Sequence, residues 1–317
     1  MFICVHLWFE LFVQRYIGIE IGGTKLQIAT GDATGEILNR RKMTVARAEG
    51  AAGIRRQIEQ GLGELADRNT AEAIGVGFGG PVDWRTGKIC RSHHIEGWLD
   101  FELGRWLQEL AGAPVVVDND ANVAALGEAL HGAGVGFNPV FYVTLGSGVG
   151  GGLVVEGQIY HGAPPGESEF GHVRLERNGT TVESRCSGWA VNGKIRALTT
   201  SEPAGVLAQL LRNEPGAEAK HLRRALEQND SMAHRIITET AEDLAFGLSH
   251  VVHLFHPQII ILGGGLSAVG EPLRVAVKEA LTGFMMEAFR PGPAIALSKL
   301  REDAVPAGAL ELARRRA

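Results

Sequence analysis

Twice in this chain an apolar strand runs into a short glycine loop from which a second strand leads out. The first copy is Ile17 to Ile28 (IGIEIGGTKLQI) and the second is Phe141 to Val155 (FYVTLGSGVGGGLVV). This doubling constrains the fold more than any single motif. Each loop presents backbone N–H groups with no side chain in the way, as an approaching phosphate requires. Two such loops in matched units predict two related lobes gripping one polyphosphate, and so a nucleotide-dependent phosphotransferase. Glycines serving only tight turns and bulges are the competing explanation. It accounts for one loop better than for two in the same setting.

The residues that follow each glycine run exclude other phosphate motifs. A Walker loop needs GxxxxGK[ST] leading into a helix, whereas Gly22-Gly23-Thr24-Lys25 is followed by LQIAT and a GDATGE turn. Gly146, Gly148 and Gly151 have the spacing of a dinucleotide fingerprint, as do Gly75, Gly77 and Gly80. That fingerprint must open a helix. Here strand-like LVVEGQIY follows the first set and Pro81-Val82-Asp83 the second, which ranks a dinucleotide oxidoreductase last.

A chain of 317 residues makes two lobes of ordinary size. Its net charge of −5, with no long basic run, argues against nucleic acid or an anionic membrane as the main partner. Cys4, Cys90 and Cys186 are odd in number and far apart, which fits a reducing cytoplasm and offers no disulfide framework or CxxC metal clip. The opening MFICVHLWFELFVQ has neither the charged start nor the cleavage site of a signal peptide and is too short to span a membrane. It reads as an extension, residues 1–15, before a first strand at Tyr16.

The first lobe, 16–125, is predicted as strands at 16–21, 25–30 and 36–44, a helix at 50–68 and a strand at 73–78. An irregular stretch, Gly79 to Gly97, precedes a helix at 100–110, a buried strand at 114–117 and a helix at 121–131. The second lobe, 126–317, repeats the opening with strands at 140–145, 150–155 and 158–161. Helices follow from about 187, notably 203–212, 218–227 and 231–255. A strand at 258–262 breaks at Gly263-Gly264-Gly265, with helices at 271–286 and 305–316 beyond it. The expected class is α/β, with a mixed sheet in each lobe, a ligand cleft between them and the terminal helix returning to the first lobe.

Asp118, Asn119, Asp120 and Asn122 crowd the junction between a strand and a helix. One N-cap needs one such residue, so capping leaves the others unexplained. A carboxylate there can accept the proton of a sugar hydroxyl as it attacks a γ-phosphate, and Asp120 is the candidate. A second polar knot, Glu167-Ser168-Glu169-Phe170-Gly171-His172, follows the loop HGAPPGE, and either Glu169 or His172 could orient a polyhydroxylated ligand. His93, His94, His221, His234, His250, His253 and His256 lack comparable context.

With these residues assembled, the chain resembles the ROK family (repressor, open reading frame, kinase) of bacterial sugar kinases, which includes glucokinases. The resemblance runs from Ile17 to the last helix and rests on IEIGGTK at 19–25, NDANVAALGE at 119–128, TLGSGVGGG at 144–152, EFGH at 169–172 and LGGGLS at 262–267. It implies a two-lobed actin-like and hexokinase-like ATPase fold of duplicated ribonuclease H-like domains. It also implies ATP with Mg²⁺, a hexose acceptor phosphorylated usually at carbon 6, and a homodimer. By position, Asp120 matches the catalytic base. Gly80, Asn119, Asp120, Glu169, His172 and Glu183 match the sugar side. Gly22, Gly23, Thr24, Lys25, Gly146, Ser147 and Gly148 match the phosphate loops, and Gly263 to Gly265 the adenosine turn.

Three departures stand out. Glu20 replaces the Asp usual before the first glycine pair, a carboxylate one methylene longer that would help to place Mg²⁺. The family's zinc motif CxCGxxGCxE, with the histidine as fourth ligand, is replaced by VRLERNGTTVE after His172, so no structural zinc is expected and His172 needs a protein partner. His94 stands where the family has Asn, and Gly79 where it has Pro, both on the sugar side. Glucose is the first substrate expected, with fructose, mannose or an N-acetylhexosamine behind it. A sugar sensor without activity is the alternative. A repressor would need a DNA-binding module ahead of the first strand.

Overall fold

The structure is a computed structural model that describes residues 15–32, 34–65, 71–90, 95–164, 166, 168–216 and 218–317. The extension at 1–14, the end of the first helix at 66–68, His93, His94 and Glu167 lie outside the described residues.

The first half runs β1 (Arg15–Ile21), β2 (Lys25–Asp32), β3 (Ile37–Thr44), α1 (Gly50–Gly63) and β4 (Ala71–Phe78). A short hairpin, β5 (Val82–Asp83) and β6 (Lys88–Ile89), occupies the stretch expected to be irregular, and α2 (Leu103–Ala111), β7 (Val115–Asn119) and α3 (Asp120–His131) follow. The second half runs β8 (Val140–Leu145), β9 (Val149–Val155), β10 (Gln158–Ile159), α4 (Val182–Cys186), α5 (Gly188–Ser201), α6 (Val206–Asn213), α7 (Leu222–Glu227) and α8 (Ser231–Phe255). It closes with β11 (Ile259–Gly263), α9 (Glu271–Phe284), β12 (Ala294–Leu297) and α10 (Ala304–Arg316).

The duplication read from the glycine loops is a duplication of topology. One sheet has the order β3-β2-β1-β4-β7 and the other β10-β9-β8-β11-β12. In each, the first strand pairs antiparallel with the second and parallel with the fourth, so Ile19 lies between Ile28 and Val76, and Val143 between Gly151 and Leu262. Strands covered on both faces read as continuous apolar runs, and Ile17, Ile19, Ile21, Ile260, Ile261 and Leu262 are all buried. The four residues of β12 are too few to show a period in sequence, and only pairing with β11 identifies them.

The helices that end the two halves are exchanged. α3 leaves the first sheet and packs on β8 and β9, while α10 returns to pack on β1, β2 and β4, and the two helices cross. The crossing is backbone against backbone. A Cβ on Gly308 would collide with the Val123 carbonyl, one on Gly127 with the Ala304 carbonyl, and one on Gly75 with the Ala309 carbonyl. Glu128 of α3 is fully buried and accepts from Ser298 Oγ at 2.5 Å and Leu300 N at 2.8 Å, fixing the turn that enters α10. Among the described residues no helix is long and apolar enough to cross a membrane.

Overpacking at a backbone crossing costs about 1–3 kcal/mol, so Gly308→Ala is expected to lower urea-unfolding stability by about 2 kcal/mol. Gly193→Ala, in α5 with nothing within 4 Å of the new methyl, should instead stabilise by about 0.5–1 kcal/mol. Equal effects of the two substitutions would contradict the crossing as a point of close approach.

Candidate active site

The first glycine loop joins β1 to β2 and is closed by Gly22 N–H donating to Lys25 O at 2.9 Å. Glu20, one residue from the end of β1, is 8% exposed and meets Lys25 Nζ at 3.0 Å and Gln27 Nε2 at 2.6 Å. Burial pushes its carboxyl above the usual range, and the Lys25 charge offsets part of that. The second loop joins β8 to β9. Gly146 N–H donates to Gly148 O at 2.9 Å, and Gly146 O accepts from Gly188 N–H, the first residue of α5, at 2.8 Å. Glu183, expected on the sugar, lies against this loop, where its Oε2 accepts from Val149 N–H at 2.9 Å.

β11 ends at Gly263, which leaves room for the Tyr142 hydroxyl, and Gly264 has a φ of 77°, a conformation that favours glycine. A Cβ on Gly264 would stand 2.5 Å from Leu145 N, so this turn needs close approach to the end of β8. A cavity of about 880 Å³ opens here, lined by Glu20, Lys25, Thr144, Gly264, Gly265 and Ser267 among others. Its lining draws on both sheets. Gly22 to Thr24, Gly146 to Gly148 and Gly263 are not part of it.

The crowded junction at 118–122 resolves into separate jobs. Asn119 is the N-cap of α3: its Oδ1 accepts from Ala121 N at 2.9 Å and Asn122 N at 3.3 Å, and its Nδ2 donates to Gly80 O at 3.2 Å. Asp118 Oδ1 accepts from Asn119 N at 2.8 Å and Asn122 Nδ2 at 3.0 Å. Asp120 alone of the four points at the cleft, where a Cβ on Gly79 would lie 3.3 Å from its Oδ2 and 3.6 Å from Gly22 Cα. Burial pushes its carboxyl up to about 6, and the charges of Glu20 and Glu169 add to the shift. Carboxylates from both lobes therefore converge on it.

Glu169 caps and His172 ends a 3₁₀ turn, Phe170–His172, whose Gly171 lies hard against the Val149 carbonyl. Their side chains approach to 3.8 Å, giving His172 a carboxylate neighbour. Cys186 is buried and donates to Thr240 O at 3.7 Å, and burial pushes its thiol up to about 12, which leaves it inert. No group of three or more His, Cys, Asp or Glu side chains able to hold a metal occurs among the described residues.

Two contacts across the cleft carry no signal in sequence. Arg47 Nε donates to Gly23 O at 2.8 Å while its guanidinium lies 5.4 Å from the Trp189 ring, next to the Gly188–Gly146 bond. His161 stacks on Trp84 at 4.2 Å and meets Asp118 Oδ2 at 2.6 Å. His161 lies in the HGAPPGE loop, whose position beside the second polar knot was the one available pointer.

The ROK family model matches residues 16–316. The chain belongs to the ROK family. It is 30% identical over 310 residues to a glucokinase of Thermotoga maritima, covering 95% of this chain and 98% of that protein. The crystal structure of a ROK family glucokinase from Streptomyces griseus in complex with glucose and AMPPNP superposes with a TM-score of 0.84 at 32% identity, covering 95% and 99% of the two chains. A putative xylose repressor of a Caldicellulosiruptor species is 27% identical, covering 82% of this chain and 68% of the repressor. The fold is thus the two-lobed actin-like and hexokinase-like one of ROK sugar kinases, and the site has to decide between catalysis and binding alone.

A carboxyl held at about 6 is stabilising while protonated, and that contribution is lost as pH rises from the ordinary value of 3.8 through about 6. Asp120→Asn should therefore raise stability at pH 8 by about 1–3 kcal/mol, with the gain vanishing toward pH 4. Unfolding in urea at both pH values checks this, and an equal difference at the two would contradict it.

Proposed function

We propose that this protein transfers the γ-phosphoryl group of ATP to a hexose hydroxyl, glucose at carbon 6 being the first expectation, with Asp120 as general base. The observation that carries the reading is the state of Asp120. It neither caps the helix, as Asn119 does, nor ties the junction, as Asp118 and Asn122 do; it opens α3 beside the first glycine loop, and its carboxyl is poised near 6. Asp120 takes the proton of the attacking hydroxyl, the hydroxyl oxygen bonds to the γ-phosphorus, and ADP leaves with the bridging oxygen. Little covalent work falls to the protein, so positioning and charge neutralisation carry the rate.

Asn119, Gly80, Glu169 and His172 hold the sugar in this reading. Lys25 and the Gly264–Gly265 turn line the cavity, whose size suits the nucleotide, and the two glycine loops, outside that lining, are assigned to its phosphates. Glu20 fits a Mg²⁺ bound through one carboxylate and the nucleotide phosphates, the usual arrangement for this ion. Mg²⁺ supplies neutralisation of the phosphate charge when bound. Glu20 is also the reason for a second reading, a sugar sensor without turnover, because Lys25 and Gln27 already engage its carboxylate.

ADP release with Mg-ATP across a panel of hexoses and hexosamines separates the two. Sugar-dependent turnover is expected, falling on the acid side through a pH of about 6, and Asp120→Asn should lower kcat by about 10²–10⁴. Sugar binding without turnover on any member of the panel would select the sensor.

A further inference from the structure

Outside the residues already assigned, His161 and Asp118 meet across the two lobes at 2.6 Å. Asp118 is 3% exposed, and a buried carboxylate is stable only when its oxygens are satisfied. Oδ1 is satisfied within the first lobe, by Asn119 N–H and the Asn122 amide. Oδ2 is satisfied from the second lobe, by His161 Nε2 at 2.6 Å. The imidazole follows β10 in the chain, yet it is inserted between two side chains of the first lobe, Asp118 on one edge and Trp84 on one face, with rings 4.2 Å apart and 14° from parallel. Asn122 Nδ2 adds a second tie, donating to Gly166 O at 3.2 Å. Gly166 has a φ of 85°, and a Cβ there would stand 3.1 Å from both His161 and Trp84, so its backbone is packed closely against both.

We propose that His161 is a positioning residue of the sugar side. Through Asp118 it holds the strand–helix junction that aims Asp120 in register with the segment that carries Glu169 and His172. The inference rests on the kinase reading for its effect on turnover, but the tie itself does not. Removal of the imidazole strips Oδ2 of its partner, and a buried carboxylate so exposed rotates or admits water, loosening the two bonds that Oδ1 makes to Asn119 and Asn122. The disturbance falls on one side of the cleft, since none of Trp84, Asp118 and His161 lines the nucleotide cavity.

The test compares His161→Ala with His161→Gln, whose side-chain amide keeps a donor toward Oδ2, in the full-length protein with the sugar the native chain turns over best. His161→Ala is expected to raise the KM for sugar and lower kcat by about tenfold or more each, with the KM for ATP within about twofold of native, and His161→Gln should recover most of the loss. Hydrogen exchange should quicken in both 118–122 and 166–172 in the Ala variant. Parallel changes in both KM values, or a Gln variant no better than Ala, would overturn the positioning role. Should the native chain phosphorylate no sugar, the kinase reading fails and exchange decides the tie alone: joint loosening of the two segments sustains it, and loosening confined to the His161 loop ends it.

Discussion

The exchange of α3 and α10 is the constraint on which the rest depends. Each sheet is covered in part by a helix whose chain comes from the other half, so neither lobe completes its packing alone. The crossing tolerates only glycine at Gly308 and Gly127, because main chains meet there without side chains between them. It also sets the cleft. The N-terminus of α3 presents Asp120, and the turn entering α10 brings Arg301, Glu302, Ala304 and Val305 to the wall of the 880 Å³ cavity. The N-terminus of α10 thus faces the cavity, and its partial positive charge favours an anionic ligand there.

That favourable field is opposed by the carboxylates gathered in the same space. Glu20 and Glu169 raise the proton affinity of Asp120, and Lys25 offsets only part of it. Such a cluster costs stability at neutral pH, and structural packing gives no reason for Asp120 to be a carboxylate. Asn119 already caps the helix and Asp118 already organises the junction. A buried acid held at a helix start against its own stability is what the kinase reading calls for. A divalent cation is the natural complement, since a polyphosphate entering this space would otherwise add negative charge to negative charge.

What could be read from sequence was local. The central strands announce themselves as apolar runs, the loops by glycine, and α8 by its length, because each signal lies within one segment. The junction at 118–122 was recognisable as over-supplied with polar residues, though sequence could not divide the labour among them. Short elements escaped: β12 has four residues, and the pair β5 and β6 two each. Contacts between distant segments escaped altogether. Arg47 meets Trp189, and His161 meets Asp118, only after the lobes assemble, and neither pair carries a spacing that a linear reading can detect. Glu183 illustrates the same limit, since its carboxylate satisfies the Val149 amide of the phosphate loop.

The stretch where the family places its zinc motif shows how such a loop is held by the chain itself. Val182 N–H donates to Val173 O at 3.0 Å and Leu175 N–H to Thr180 O at 2.8 Å, closing a hairpin whose turn is set by Asn178 Oδ1 accepting from Thr180 N at 2.9 Å. Thr181 and Ser184 form a reciprocal capping box that starts α4, and Val182 anchors it in the core at 0% exposure. Arg185 reaches back to Glu176 at 3.3 Å, an exposed pair of small energetic weight. A metal clip fixes a loop by a few strong bonds that need four ligands. Here backbone pairing, one cap and one buried valine hold the loop. The turn bearing Glu169 and His172 is supported from beneath by β9 through Gly171 and from the side by the hairpin, whose Val182 N–H meets the carbonyl of Val173 at the end of the turn.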